Sequence, residues 1–510
     1  MNVADSKADQ LEWIRMDVGS ASAKTASCST DWNSHMTRRT LLAAVLLALC
    51  GANLHAQSPL TAWLDSEDSW LSSDEKLLAP LQNQTLYDGW TYSVGGALRY
   101  RYIDERNRLR PPLAAGRSAY DQYRFTPYLQ LNFEDHLELY LQAIDAPTFN
   151  NDLPQVAIDE NRADILQAYV DLELMELEGG KVRARAGRQF LQYGSQHLIS
   201  PLGWGNTFRN FEGVKLYYSD ADWSVDAFAV QPVNGAAGNI FRPTSLDSPD
   251  VSRWFGGIYA TYKKAPNGTL DLYWLWLKEN DDAVGIIDGN RHTLGARYAG
   301  KYGVKDAGET LFTWNWDFEG AYQTGREDFL TGPNQLIDAG FASASLGIVF
   351  DSVPWTPALN GIYYWGSGDG NPGDGRSNTV NTLFPLGHAY WGQIDNFNGQ
   401  NLIDYGLHAT VKPTDKLTLL SGWHWFNKQS RQDAIYNVAG VPFGGVTATP
   451  SSYLGNELDL VATYQFNKNL QWQLGYFWFW YGDAVSLNPV PAVANRADAH
   501  QFYTYIDWTF

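Results

Sequence analysis

The sequence predicts an all-β transmembrane antiparallel barrel of about 18 strands, and three observations carry that expectation. The first is the C-terminus. Phe502, Thr504, Ile506, Trp508 and Phe510 share one parity, and Gln501, Tyr503, Tyr505, Asp507 and Thr509 the other. A period of two is a strand with unlike faces, and an aromatic strand ending uncovered would be an aggregation edge in a soluble sheet. The second is composition. Trp, Tyr and Phe make up 14% of the 510 residues, yet mean hydropathy is -0.34. Beyond the N-terminal leader, no apolar run reaches the roughly 18 residues of a membrane helix. In a barrel only alternate residues meet lipid, so an aromatic-rich, mildly hydrophilic chain fits.

The third is the rhythm of the connections. Strand patterns fall at 92–104, 122–134, 136–145, 163–175, 181–190, 212–219, 222–231, 254–263 and 268–278. They continue at 292–301, 309–323, 339–351, 357–365, 401–412, 416–426, 456–467, 469–482 and 499–510. Connections 105–121, 146–162, 191–211, 232–253, 366–400, 427–455 and 483–498 are long, whereas Glu134-Asp135 and Asn467-Lys468-Asn469 are turns. Long extracellular loops alternating with short periplasmic turns are the pattern of an even-stranded barrel with both ends inside.

Parity assigns the faces. Leu458, Leu460, Ala462, Tyr464 and Phe466 face lipid, with Glu457, Asp459, Thr463 and Gln465 inward. Phe312, Trp314, Trp316, Phe318 and Tyr322 oppose Asn315, Asp317, Glu319 and Gln323. Leu166, Ala168, Val170, Leu172 and Leu174 are expected outside, and Gln167, Asp171 and Glu173 inside. Strand 268–278 is less clean, because Leu275 and Leu277 fall beside Asp271 on the inward parity. Parity leaves 339–351 and 357–365 unassigned. Lys or Arg at the bilayer midplane costs about 2–4 kcal/mol, so the scarcity of charge on the apolar parity is a constraint.

The N-terminal 91 residues stand apart. Residues 1–35 read as an over-extended start before Met36. Met36-Thr37-Arg38-Arg39, the apolar run Leu41 to Leu49 and the exit at Ala56 make 36–56 a secretory signal peptide. Residues 57–91 are expected to be a periplasmic segment, and 92–510 the barrel. Both cysteines, Cys28 and Cys50, fall in the part expected to be removed, so disulfides and thiolate chemistry are not expected. Five basic and five acidic residues lie in 1–56, which leaves the net charge at -19. That acidity excludes a nucleic-acid binder. No local hydrolase pattern surrounds any histidine, and Ser421 and His424 have opposite parity, so no enzyme is expected.

An 18-stranded barrel is expected to leave an aqueous channel. Arg99, Arg101, Arg124, Arg183, Arg185 and Arg297 all lie on inward parity. Guanidinium groups stay charged and match carboxylates bidentately, so this set predicts an anion-attracting path. Asp171 and Glu173, with other inward acids, could instead brace the arginines. In the Gly/Asp loop 366–375, Asp369, Asn371 and Asp374 could hold calcium, although their spacing is not that of an EF-hand and a solvated loop is favoured. No cofactor is expected otherwise.

Arg183 to Val214 reads RARAGRQFLQYGSQHLISPLGWGNTFRNFEGV. Gly187, Arg188, Gln189, Tyr193, Gly194, Trp204, Asn206, Arg209, Phe211, Glu212 and Gly213 make a pattern that resembles the bacterial alginate-export outer-membrane barrel family. The run Asp164 to Leu172 and the Ala-x-Asp strand end at Asp145 are also similar to it. One departure is His197, where the family often carries arginine. The resemblance implies an outer-membrane channel for an anionic, uronate-rich exopolysaccharide, with periplasmic export components as further partners. The alternative that the residues leave open is a general or small-anion diffusion porin. Arg188 lies on apolar parity, which places it after a bulge at Gly187 or at headgroup level.

Overall fold

The computed structural model describes residues 81–110, 115–234, 246–281, 286–329, 334–443, 448–490, 493–494 and 496–510. The expected over-extended start at 1–35, the expected signal peptide at 36–56 and most of the expected 57–91 periplasmic segment lie outside the described residues.

Eighteen antiparallel strands close on themselves. Two of them are broken by a kink. β1 comprises Trp90–Gly95 and Ala97–Arg106, and β2 comprises Arg117–Phe125 and Tyr128–Phe133. Gly96 and Pro127 sit at the breaks, where a proline cannot donate to the ladder. β3 to β9 are Leu137–Ala146, Asn161–Leu177, Gly180–Gln189, Phe211–Ser219, Trp223–Asn234, Arg253–Ala265 and Gly268–Asp281. β10 to β13 are Ile286–Asp306, Glu309–Phe329, Gln335–Val349 and Ala358–Gly366. β14 to β18 are Leu402–Thr414, Leu417–Lys428, Tyr453–Asn467, Leu470–Tyr481 and Ala499–Thr509.

The barrel closes where β18 pairs with β1, from His500 opposite Arg106 to Thr509 opposite Ala97. The terminal residue completes the seam: Gly96 N and Phe510 N each donate to the other's carbonyl at 3.0 Å. The alternation read at the C-terminus is real, with Tyr503 and Tyr505 buried inward and Ile506 outward. Ahead of β1, Gln84–Tyr87 pairs back onto Trp90 to Tyr92, so pairing begins within the expected periplasmic segment.

Every expected strand is present. β10 and β11 run farther than expected, to 21 residues each. Their outer ends carry glycine and charge (Gly289, Arg291, Arg326, Asp328) instead of apolar alternation, because that part of the ladder lies beyond the lipid-matched stretch. The two strands of unassigned faces resolve clearly: Phe341, Ser343, Asn360 and Tyr364 are buried inward, and Leu346 and Leu359 are exposed. Leu166 departs from its expected lipid position. It falls at a register shift between β3 and β4, and the bulge turns it into a buried cluster with Ile144 and Ala146.

The interior departs most from expectation. Two of the long loops, 190–210 between β5 and β6 and 367–401 between β13 and β14, fold inward. They pair with one another: Ser200 N donates to Phe384 O at 2.9 Å, Phe384 N to Leu198 O at 2.9 Å and Leu386 N to Gln196 O at 3.0 Å. Aromatic side chains from the wall close on them. Phe211 and Phe255 meet Phe384, Tyr364 meets Trp391, and Phe426 and Phe479 meet Phe397. Leu275 and Leu277, anomalous in the parity reading, belong to this same apolar cluster. The expected water-filled lumen therefore contains a hydrophobic core of its own, which the apolar inward residues require.

Candidate functional site

The candidate site is the lumen wall where it grips loop 190–210. Arg99 and Arg124 are directly opposed on β1 and β2, with Arg101 opposite Gln122. All three arginines are buried inward. Arg124 Nη1 donates to Gly203 O and Gly205 O, both at 2.8 Å. Arg99 donates to the carbonyls of Gly203, Trp204 and Gly205. Arg101 Nη1 donates to Trp204 O at 2.6 Å, and its Nε to Gln122 at 2.9 Å. Three guanidinium groups thus converge on three consecutive carbonyls. Bonds of this charge-assisted kind are roughly twice as strong as neutral ones.

The remaining arginines of the expected path take carboxylates. Arg183 Nε and Arg185 Nε share Asp171, each at 2.7 Å. Glu173 binds Lys181 at 2.8 Å and lies 3.6 Å from Arg183. Arg297 bridges Asp317 at 2.7 Å and Asp271 at 3.1 Å. The six arginines all project inward, but they form three separate groups with separate partners. Arg183 and Arg185 retain the most exposure, at 19% and 21% of their side chains, near the short turn between β4 and β5.

The motif residues divide between the outer end of the wall, where Gly187 and Arg188 lie, and the inward loop, which Tyr193, Trp204, Asn206 and Arg209 fasten. Gly187 lies opposite both Tyr169 and Gly213 in the sheet. Its φ is 125°, and a Cβ there would stand 2.2 Å from Ala168 O, so only glycine fits. Arg188 is buried at the outer end of β5, donating to Ile165 O at 2.9 Å and Asp247 O at 2.7 Å; Glu212 receives it at 3.2 Å. Protein, not lipid headgroup, satisfies it. Gln189 is fully buried beside it. Tyr193 donates to Asp226 at 2.6 Å and stacks on Tyr259. Gly194, with φ of 56°, leaves room for the Tyr259 hydroxyl.

Trp204 stacks on His388 at 3.6 Å and donates to Asp395 at 3.1 Å, joining the two inward loops. Asn206 Nδ2 reaches the carbonyls of Tyr123 at 3.1 Å, Asp159 at 3.0 Å and Pro147 at 3.4 Å. Arg209 donates to Ser200 O at 3.2 Å and Pro385 O at 3.1 Å. Among the described residues no carboxylate pairs with it, and burial lowers its guanidinium to about 10. His197, at the departure from the family pattern, meets Glu319 at 2.7 Å and packs at a tilt against the Tyr390 ring, 3.8 Å between centroids. Nearer the outer rim, burial raises the carboxyl of Asp159 against the opposing pull of Arg110, 3.1 Å away.

Sequence reasoning missed both inward loops, 190–210 and 367–401, which it read as long extracellular connections. The signal for the second was the set of aromatic residues on inward parity, Phe341, Tyr364, Phe426, Phe477 and Phe479. In the Gly/Asp stretch of that loop, Asp369 accepts from Asn371 N and Asp374 from Arg376 N, each at 2.9 Å. Both acids cap their own turns.

Comparison with known proteins agrees with this architecture. Residues 91–499 match the alginate-export family model. The outer membrane protein OprD of Pseudomonas aeruginosa is similar in fold, with TM-score 0.53 and 12% identity, covering 84% of this chain and 97% of OprD. OccAB2 of Acinetobacter baumannii gives TM-score 0.52 and 13% identity, covering 82% and 98%. No curated protein sequence matches the chain. With a closed 18-stranded barrel and a family match over most of its length, the chain belongs to the alginate-export family and is an outer-membrane channel protein.

Proposed function

We propose that the channel conducts an anionic, uronate-rich exopolysaccharide out of the periplasm, past the two inward loops. The observation that carries this reading is the family match across residues 91–499. The lumen chemistry supports it. Lys181, Arg183, Arg185 and Lys215 lie on adjoining stretches of β5 and β6, with Lys215 directly opposite Arg185. This patch offers successive cations to a polymer that carries one carboxylate per sugar. Asp171, Glu173 and Asp226 hold the same side chains, which keeps the patch from retaining a polyanion too tightly. The arginines act through charge and position; no covalent chemistry is involved. Periplasmic export components would deliver the polymer to this end of the barrel.

One observation favours a second reading, a diffusion porin for small anions: the lumen arginines all have protein partners. Planar-bilayer recordings with soluble oligouronates separate the two. A polymer channel is blocked, in a manner that salt relieves because charges are screened within about 8 Å at physiological ionic strength. A diffusion porin passes small anions without block.

A further inference from the structure

We propose that His408, His424 and Asp459 form a divalent-metal site on the lumen wall, of the two-imidazole, one-carboxylate class that takes zinc. The inference is independent of what the channel conducts. It begins with register. His408 on β14, Gly422 on β15 and Asp459 on β16 form one row across three strands, and Gly406, His424 and Glu457 form the next. Each row holds a glycine where an imidazole leans across. A Cβ at Gly422 would meet His408 Nε2 at 3.0 Å, and one at Gly406 would meet His424 Nδ1 at 3.1 Å. The two glycines let the imidazoles approach through the gap between strands.

The result is a convergent donor set. His408 Nε2 and His424 Nε2 stand 2.9 Å apart, and Asp459 Oδ2 is 3.8 Å from His424 Nε2. One ligand atom from each residue lies within 4.8 Å of the others. Asp404 Oδ2 lies 2.8 Å from His424 Nδ1. A proton held there leaves the Nε2 lone pair aimed at the centre, the usual carboxylate support for a metal-binding histidine. A tetrahedral zinc with nitrogens at about 2.0–2.1 Å would need the two Nε2 atoms only a few tenths of an ångström farther apart.

Charge is the independent argument. Asp404, Glu457 and Asp459 are each fully buried. Asp459 sits against Glu457 and the Gln393 backbone N–H, and one oxygen of Asp404 has no donor. Among the described residues no lysine or arginine pairs with any of the three. Elsewhere on the wall, Asp171, Asp271, Asp317 and Glu327 all have arginine. Buried carboxylates are paired or bind metal, and this sector lacks the cation that the others have. The site also touches the inward loop: Ile394 N donates to Glu457 Oε1 at 2.8 Å.

The test uses the full chain, folded in detergent, stripped with chelator and titrated with Zn²⁺ and then Co²⁺. The proposal expects one equivalent bound per chain and the visible absorption of tetrahedral Co²⁺. His408→Asn and Asp459→Asn should each weaken binding at least tenfold, and Asp404→Asn about 10–100-fold. His136→Asn, an exposed histidine at a turn, should change nothing. A heat-modifiable band on gels confirms that each variant is folded. Wild-type protein without stoichiometric metal or the Co²⁺ band would overturn the site, a result requiring no variant to fold. Unchanged affinity in folded His408→Asn or Asp459→Asn would overturn it equally, leaving only adventitious surface binding.

Discussion

The walls built by β1–β2 and by β14–β16 hold the inward loops with opposite electrostatic sense. On β1–β2, arginines donate to the carbonyls of Gly203, Trp204 and Gly205. On β16, a carboxylate accepts from a loop amide, Glu457 from Ile394. A peptide segment has both polarities, so a wall can fasten a loop by offering either cations or anions. The difference lies in compensation. The arginine wall meets three carbonyls with three guanidinium groups, whereas the acid wall collects buried carboxylates without an arginine among them. The first wall sets its cations against neutral loop carbonyls; the second would take its cation from the metal ion proposed above.

The largest effect should come from dismantling the arginine clamp. Arg99→Gln, Arg101→Gln and Arg124→Gln together remove several charge-assisted bonds, each contributing about 1.5–3 kcal/mol. Single-channel conductance should rise severalfold and become noisy while the heat-modifiable band persists. Unchanged conductance would mean that loop 190–210 is held from elsewhere. Next comes Asn206→Ala, which removes a donor from the Tyr123 carbonyl while Pro147 O keeps Tyr123 N and Asp159 O keeps the Thr148 hydroxyl, and should cost about 0.5–1.5 kcal/mol. Limited proteolysis within 190–210 should quicken, with the barrel itself still resistant.

Glu457→Ala on the acid wall should loosen loop 367–401 less, because it removes one fastening and also relieves a buried charge. A modest rise in current noise is expected; an effect larger than that of the arginine triple would reverse the ranking of the two walls. The smallest effect belongs to Arg183→Gln with Arg185→Gln. Neither residue clamps a loop, so conductance should stay near wild type while anion preference falls about twofold, since lumen substitutions tune selectivity more than insertion.

The wall of this molecule was readable from sequence and its contents were not. Alternation in β11, β16 and β18 is imposed by lipid on one side, and that boundary condition is visible in any ten residues. The six arginines could be placed on the inward face for the same reason. Their partners could not, because Gly203–Gly205 and Asp171 reach them through the folding of a loop and through strand register, neither of which has a local pattern. Leu275 and Leu277 were the available warning: apolar residues on inward parity have no place in a water-filled lumen. Leu166 was misread by simple parity because a register shift redirects the chain there, whereas Arg188 keeps its parity in unbroken register with Ala168 and Glu212, without a bulge at Gly187, and is held by Asp247 and Glu212 in place of lipid headgroups. The His408–His424–Asp459 cluster has no sequence spacing to detect, since its members come from three strands.

Oligouronate block in planar bilayers tests the central claim most directly. Wild-type channels should prefer anions, and oligouronates added to at least one side should interrupt the current in discrete events that shorten as salt is raised. A cation-preferring wild-type channel, or an anion-preferring one that oligouronates never block, would contradict the polysaccharide-channel account.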